Sequence, residues 1–251
     1  VAGGSPLRLL RLTASGARLV DGWMAGEPVG ESVAERRLAE RLIEAAMFHP
    51  LPLAQLQSPA ATVVVPVFDD PGGLELLLSG LPGSDGGLAG RLQVIVVDDG
   101  SRDADAVAEV ADRHGARLVV RVRNGGPAAA RNTGMAEVTT PITVFADADT
   151  TVSARCLQTL LSHLADPDTA CAAPRVRSAP GRGRLAMYEA ANSPLDMGSS
   201  PSPVGTGRAV AYVPGAVLAV RTEAARAVGG FDEGLHSGRE VEFVWRLASA
   251  G

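Results

Sequence analysis

Two carboxylates close the apolar run Ile142-Thr-Val-Phe-Ala-Asp147-Ala-Asp149-Thr150. A strand that stops on paired acids delivers them to the carboxyl edge of a sheet, where open α/β folds bind ligands. Acids spaced D-x-D can hold a hard divalent cation, and such a cation can hold a diphosphate. A second apolar run, Leu92-Gln-Val-Ile-Val-Val-Asp98-Asp99-Gly100-Ser101, also ends on carboxylates. The two strand ends together point to an enzyme that handles a nucleotide diphosphate with a metal.

Those acids need a scaffold. From Ala61 onward apolar strand patterns alternate with helical ones, the signature of an α/β sheet. Strands are expected at Thr62–Phe68, Leu92–Asp98, Arg117–Val122, Ile142–Ala146, Cys171–Val176 and Val210–Val220. Helices are expected at Gly73–Leu78, Ala104–His114, Ala128–Glu137, Ala154–Leu164, Glu223–Val228 and Arg239–Ala248. Ser178–Arg208 is rich in Gly, Pro and Ser and weakly periodic, so it reads as a long loop, functional or mobile. Residues 1–50 read as a small module. Leu7, Leu9 and Leu12 suggest a short strand, and Ala14–Met24 and Ser32–Met47 two helices, the second with Leu38, Leu42 and Ala46 on one row. Pro50–Ala60 carries three prolines and reads as a linker.

Composition narrows the classes. The chain has 251 residues, 46% of them hydrophobic and 20% charged, which fits a globular protein. Its net charge of −5 argues against nucleic acid as a partner. No stretch approaches the ~18 apolar residues of a membrane span. The start, Val1-Ala-Gly-Gly-Ser-Pro6, lacks the charged and apolar regions of a signal peptide. Cys156 and Cys171 are too few for a disulfide framework or a zinc site. These points lead us to expect a cytoplasmic protein, with peripheral contact to a membrane left open. The chain contains no lysine, which excludes P-loop and Schiff-base chemistry.

Four blocks in order resemble family 2 glycosyltransferases, which have the GT-A fold. They are Val63-Val-Val-Pro66-Val-Phe68-Asp69; Val96-Val-Asp98-Asp99-Gly-Ser101; Asn124-Gly-Gly-Pro-Ala-Ala-Ala-Arg131-Asn132-Thr-Gly134; and Asp147-Ala-Asp149. Gly229-Gly-Phe231-Asp232-Glu233 and Glu240-Val-Glu242-Phe-Val-Trp245-Arg246-Leu247 resemble that family's acceptor-side part. The Val-Pro-Val-x-Asp start and the N-terminal module look most like the mycofactocin-system branch. The resemblance implies a Rossmann-like mixed sheet over residues 59–251. Before it, residues 1–58 would form a small winged-helix-like α+β module of the kind that recognises modified peptides. It also implies a metal-dependent, inverting transfer of glucose from UDP-glucose to an acceptor hydroxyl, on a peptide-derived redox cofactor or another acceptor.

The same resemblance assigns roles. Asp149 would ligate Mn²⁺ or Mg²⁺, with Asp147 placing ribose or metal. Asp99 would accept a hydrogen bond from the base edge. Pro66, Phe68 and Asp69 would floor the nucleotide pocket, and Arg131 would reach the nucleotide or fix the acids. Glu240 stands where the family's Glu-Asp pair carries its base, preceded here by Arg239. A nearby cation lowers a carboxylate's pKa and weakens it as a base. Ser237-Gly-Arg-Glu240 also fits a capping box, so Glu240 is either base or cap. Glu242 is the fallback base, and Trp245 reads as core packing. The chain ends at Gly251, where the resembling transferases continue. A GT-A domain cut short at its C-terminus is therefore expected. Two alternatives stay open: a nucleotide-sugar binder with impaired transfer, and a phosphatase built on Asp147-Ala-Asp149-Thr-Thr151 as a D-x-D-x-T nucleophile motif.

Overall fold

The computed structural model describes residues 1–51, 59–82, 90–179 and 181–250. The chain divides into two compact units. One comprises Val1–Leu51 and Ser199–Tyr212, the other Pro52–Gly198 and Val213–Gly251. Most of the expected linker, and the expected boundary at residue 58, lie outside the described residues.

In the first unit β1 (Ala2–Gly3) pairs antiparallel with β2 (Arg8–Leu9). Helix α1 (Ala14–Met24) begins where the Thr13 hydroxyl takes the Gly16 N–H. Helix α2 (Val33–Glu44) begins on a full capping box between Ser32 and Glu35. Both starts follow from a hydroxyl residue just before the helix, which accepts an otherwise orphaned N–H. The winged-helix likeness reduces to this hairpin and helix pair, since residues 1–51 hold no third helix.

The second unit is the α/β sheet. Its elements are β3 (Ala61–Val67), α3 (Pro71–Gly80), β4 (Leu92–Asp98), α4 (Ala104–Arg113), β5 (Arg117–Val120), α5 (Gly126–Ala136), β6 (Ile142–Ala146), α6 (Ala154–His163), β7 (Cys171–Ala172), α7 (Arg184–Asn192), β8 (Val217–Arg221), α8 (Thr222–Ala227) and α9 (Arg239–Ser249). The strand order is β5-β4-β3-β6-β8-β7. β3 runs parallel to β4 and β6, and β4 parallel to β5. β8 runs antiparallel to β6 and β7.

The central strands β3 and β6 are apolar almost throughout because helices cover both sheet faces. Gly134 of α5 lies against the sheet: a Cβ there would sit 2.3 Å from Val64 Cγ1 and 2.9 Å from Val97 Cγ2. A bare glycine lets α5 approach β3 and β4 this closely.

Three expectations need correction. The strand expected at Val210–Val220 is confined to Val217–Arg221. Proline lacks the N–H that a ladder needs, so Pro214 interrupts the run, and Val210 instead bridges Val204 within the first unit. The strand expected at Cys171–Val176 keeps only Cys171–Ala172. The stretch expected to be loop contains α7, whose Leu, Ala, Met and Glu are good helix formers.

Candidate functional site

The parallel strands β3, β4 and β6 open their carboxyl ends on one edge, and Val67 lies opposite Asp98 there. A cleft of about 410 Å³ occupies that edge, within the ~300–1,000 Å³ of small-molecule sites. Pro66, Phe68, Asp99, Arg131, Asp147, Asp149 and Glu240 all line it.

Arg131 is the centre of the arrangement. It projects from α5 and is buried. Its Nη2 donates to Asp147 Oδ1 at 2.5 Å, and its Nη1 donates to Glu240 Oε1 at 2.5 Å. A planar guanidinium can serve two carboxylates at once because its donors are fixed in a fork. Burial would discourage the Arg131 charge, but the two carboxylates outweigh it and raise its pKa. Burial likewise pushes Asp147 above the usual carboxylate range, against the pull of Arg131. For Glu240 the balance is reversed. Burial acts to raise it, yet Arg131, with a smaller contribution from Arg239, holds it below the usual range.

Glu240 is therefore not a helix cap. The cap of α9 is Gly238, in a left-handed conformation with φ 70°, and no side chain caps the helix. The capping-box expectation fails because Glu240 is drawn to Arg131. The fallback base, Glu242, is bound to the Arg246 guanidinium. Trp245 is half-exposed, and the buried face of α9 is Phe243, Val244 and Leu247 instead.

Three phenylalanines hold the acids at this spacing. Phe145, on β6, meets Phe231 edge to face at 4.9 Å. Phe231 stacks on Phe243 of α9 at 4.3 Å. The Arg131 guanidinium carbon lies 5.3 Å from the Phe231 ring centroid. Asn132, beside Arg131 on α5, accepts the Phe231 N–H and donates to the Phe231 carbonyl. Gly215 forms the remaining support, because a Cβ there would lie 2.1 Å from Glu240 Cγ. Sequence reading missed the phenylalanines, Asn132 as a clamp, and Gly215. The available signal was Phe243 at i+3 from Glu240, which places both on one side of a helix.

Asp99 lines the cleft but is already engaged. Its carboxylate accepts the Gly125 N–H at 3.0 Å and the Gly126 N–H at 2.7 Å, and pairs with Arg121 at 2.7 Å. It thus closes the start of α5, whose own cap, Gly125, has no side chain. Asp69, expected in the pocket floor, is not among the lining residues; Asp70 is. Asp69 has φ 54° and accepts both the Arg102 N–H and its Nε, each at 2.7 Å. Those bonds hold its carboxyl below the usual range. Asp70 caps α3 through the Gly73 N–H.

Five carboxylates and one guanidinium border the cleft. The carboxylates are hard oxygen donors, and Asp149 is exposed, so this donor set suits a hard divalent cation. Among the described residues no three His, Cys, Asp or Glu side chains converge on one point.

Residues 62–203 match the family described as glycosyl transferase family 2. The chain belongs to that family. With that membership, the reading of Asp147-Ala-Asp149-Thr-Thr151 as a phosphatase nucleophile loses its basis. Among curated relatives, the pre-mycofactocin glycosyltransferase of Mycobacterium tuberculosis is 42% identical over 99% of this chain and 51% of its own length. The chain thus spans about half of that relative. An N-acetylglucosaminyltransferase from Bradyrhizobium elkanii is 30% identical over 45% of this chain and 64% of its own. The fold is GT-A, shared with two solved structures. A mannosyltransferase from Pyrobaculum calidifontis, in complex with GDP-Man and Mn²⁺, superposes with a TM-score of 0.59 at 21% identity, over 95% of this chain and 64% of that one. Staphylococcus aureus TarS 1-349 gives 0.58 at 18% identity, over 75% and 55%.

Proposed function

We propose that this family 2 chain carries the donor site and base of a metal-dependent, inverting glycosyltransferase of the mycofactocin branch. It would move glucose from UDP-glucose to an acceptor hydroxyl on a peptide-derived cofactor. One observation carries the reading. A strand-end acid of a D-x-D pair and an acid on α9 meet on one buried arginine at the cleft. The 42% identity to a pre-mycofactocin glycosyltransferase supports the branch and the acceptor class.

Asp149 and Asp147 would hold Mn²⁺ or Mg²⁺, which supplies Lewis-acid neutralisation of the departing diphosphate. Two carboxylates suffice where the donor's phosphates complete the coordination, as is usual for Mg²⁺. Glu240 would take the acceptor hydroxyl proton on Oε2, the oxygen that Arg131 leaves free. The acceptor oxygen then bonds to the sugar's anomeric carbon as the carbon–oxygen bond to the diphosphate breaks on the opposite face, giving inversion. Arg131 fixes Glu240 against Asp147, so the base and the metal-side acid keep one spacing. Asp99, whose oxygens already take Gly125, Gly126 and Arg121, would share one of them with the base edge in a three-centre bond, while Pro66 and Phe68 cover the base. Asp69 would act through the Arg102 loop rather than by touching the nucleotide. The small N-terminal unit would bind peptide on its own, in an apolar groove of about 470 Å³ beside β2 and α1, lined by Leu9, Leu10, Leu12 and Val20.

A second reading, donor binding with weak transfer, is favoured by the Arg131 contact that lowers the proton affinity of Glu240. Calorimetric titration with UDP and UDP-glucose separates the cases when run with Mn²⁺, with chelator, and on Asp149→Ala. Metal-dependent binding that vanishes in the variant is expected. Binding indifferent to metal and to the variant would overturn the metal assignment. Binding without glucose release to any hydroxyl acceptor would select the second reading.

A further inference from the structure

We infer that Arg239 is a donor-binding residue that takes the diphosphate of the nucleotide sugar. The inference rests on the nucleotide-sugar reading of the cleft and adds to it a contact for the donor's anion. Arg239 is the first residue of α9, directly before Glu240. Its Nε donates to the Leu235 carbonyl in the loop ahead of the helix. That bond anchors the guanidinium by one edge and leaves both Nη groups for other partners. The far end reaches α5. A Cβ on Gly126 would lie 3.9 Å from Arg239 Nη2, and among the described residues no side chain beyond its chain neighbours comes closer. Gly126 and Glu240 both line the cleft. Arg239 thus runs along the rim from the start of α9 to the start of α5.

The positive groups around it are already committed. Arg131 serves Asp147 and Glu240, Arg121 pairs with Asp99, and Arg102 pairs with Asp69. At the start of α5 the Gly125 and Gly126 N–H groups are taken by Asp99. Arg239 has no ion pair among the described residues, although Glu240 is its neighbour in the chain. Glu240 turns to Arg131, and Arg239 turns to the Leu235 carbonyl. Five carboxylates border the cleft, namely Asp70, Asp99, Asp147, Asp149 and Glu240. A dianionic ligand entering among them needs a cation that no carboxylate has neutralised.

Position along the cleft selects the diphosphate. In a nucleotide sugar the anion lies between the base and the transferred sugar. Asp99, bonded to Gly126, marks the base end, and Glu240 marks the end where transfer occurs. Arg239 is attached beside Glu240 and ends beside Gly126, so it spans the interval between them. A guanidinium held at Nε can meet two phosphate oxygens with its Nη groups, in charge-assisted hydrogen bonds. Because Leu235 already fixes its orientation, little side-chain freedom is lost when it does so.

The test is calorimetric titration of the 251-residue chain with uridine and with UDP, both in the presence of Mn²⁺. Arg239→Gln should weaken UDP about tenfold, the loss of one hydrogen bond between charged groups. Uridine should bind the variant as it binds wild type, which also shows that the variant folds. Arg239→Lys keeps the charge without the Nε anchor and should recover part of the loss. UDP affinity unchanged in Arg239→Gln would overturn this inference alone and leave the nucleotide site standing. Equal losses for uridine and UDP would overturn it too, because the arginine would then shape the pocket rather than hold the anion. A lysine variant as weak as the glutamine one would overturn the role of charge. Failure of wild type to bind UDP would instead overturn the nucleotide reading, and this inference with it.

Discussion

Glu240 owes its position to two neighbours that do no chemistry themselves. Arg131 pulls on Oε1, and Gly215 leaves the space in which the side chain lies. Gly215→Ala would place a methyl group on Glu240 Cγ and push the carboxylate off Arg131. Transfer should fall on the order of 100-fold, the cost of about 1 Å of misplacement. UDP affinity should be unchanged, and a comparison of kcat with calorimetric Kd checks both. The same ion pair sets a pH dependence. The folded pKa of Glu240 is depressed, so its stabilisation is present above the unfolded value and lost as pH falls through the folded one. Asp147 is raised and acts in the opposite sense, losing stabilisation as pH rises through its folded value. The stability gap between wild type and Glu240→Gln should therefore be largest at neutral pH and close below the usual glutamate pKa of ~4.3. Urea unfolding at the two pH values measures it. Only part of this was readable in the chain. Arg131 and Glu240 were singled out from their motifs, but their bond crosses 109 positions. The local Ser-x-x-Glu pattern offered a competing explanation that tertiary contact overrode.

Helix α5 organises the site through both ends of its first turns. Its N-terminus is closed by Asp99 from β4, its second turn presents Arg131, and Asn132 grips Phe231 ahead of α9. Asp99→Ala would strip the Gly125 and Gly126 N–H groups of their acceptor and leave Arg121 without its ion partner. Both N–H groups are reachable by water, so the loss is that of a helix cap, about 0.5–2 kcal/mol. The variant should lose about 1 kcal/mol in chemical denaturation, whether or not any nucleotide is present. Asp99→Asn, which keeps an oxygen acceptor, should lose less. If Asp99 served the ligand alone, apo stability would not move. The strands were legible because β3, β6 and the second half of β4 are covered on both faces and read as runs of mostly β-branched apolar residues. Helix α7 was not, because none of its residues is buried and its apolar residues follow no clear helical stripe.

The site lies wholly within the second unit, while residues 199–212 return to the first. That return is a long-range event with no local pattern, and a boundary drawn along the sequence could not show it. Saturating UDP and Mn²⁺ at about 100 times Kd should stabilise the second unit by about 2.7 kcal/mol. Amides of β3, β4 and α5 should gain hydrogen-exchange protection, whereas those of α1 and α2 should not. Protection spreading equally into α1 and α2 would show that the units unfold as one.

The close seat of α5 on the sheet has a bearing on how such a cleft could diversify. With only a hydrogen atom between Gly134 and the valines beneath, that wall has no room to shift without rebuilding β3 and β4. The cleft is also lined by the turn of Phe68 and Asp70, with a half-exposed ring and an acid that caps a helix from outside the core. A lineage, or an engineer, seeking a different nucleotide would find its freedom in that turn and inherit α5 unaltered.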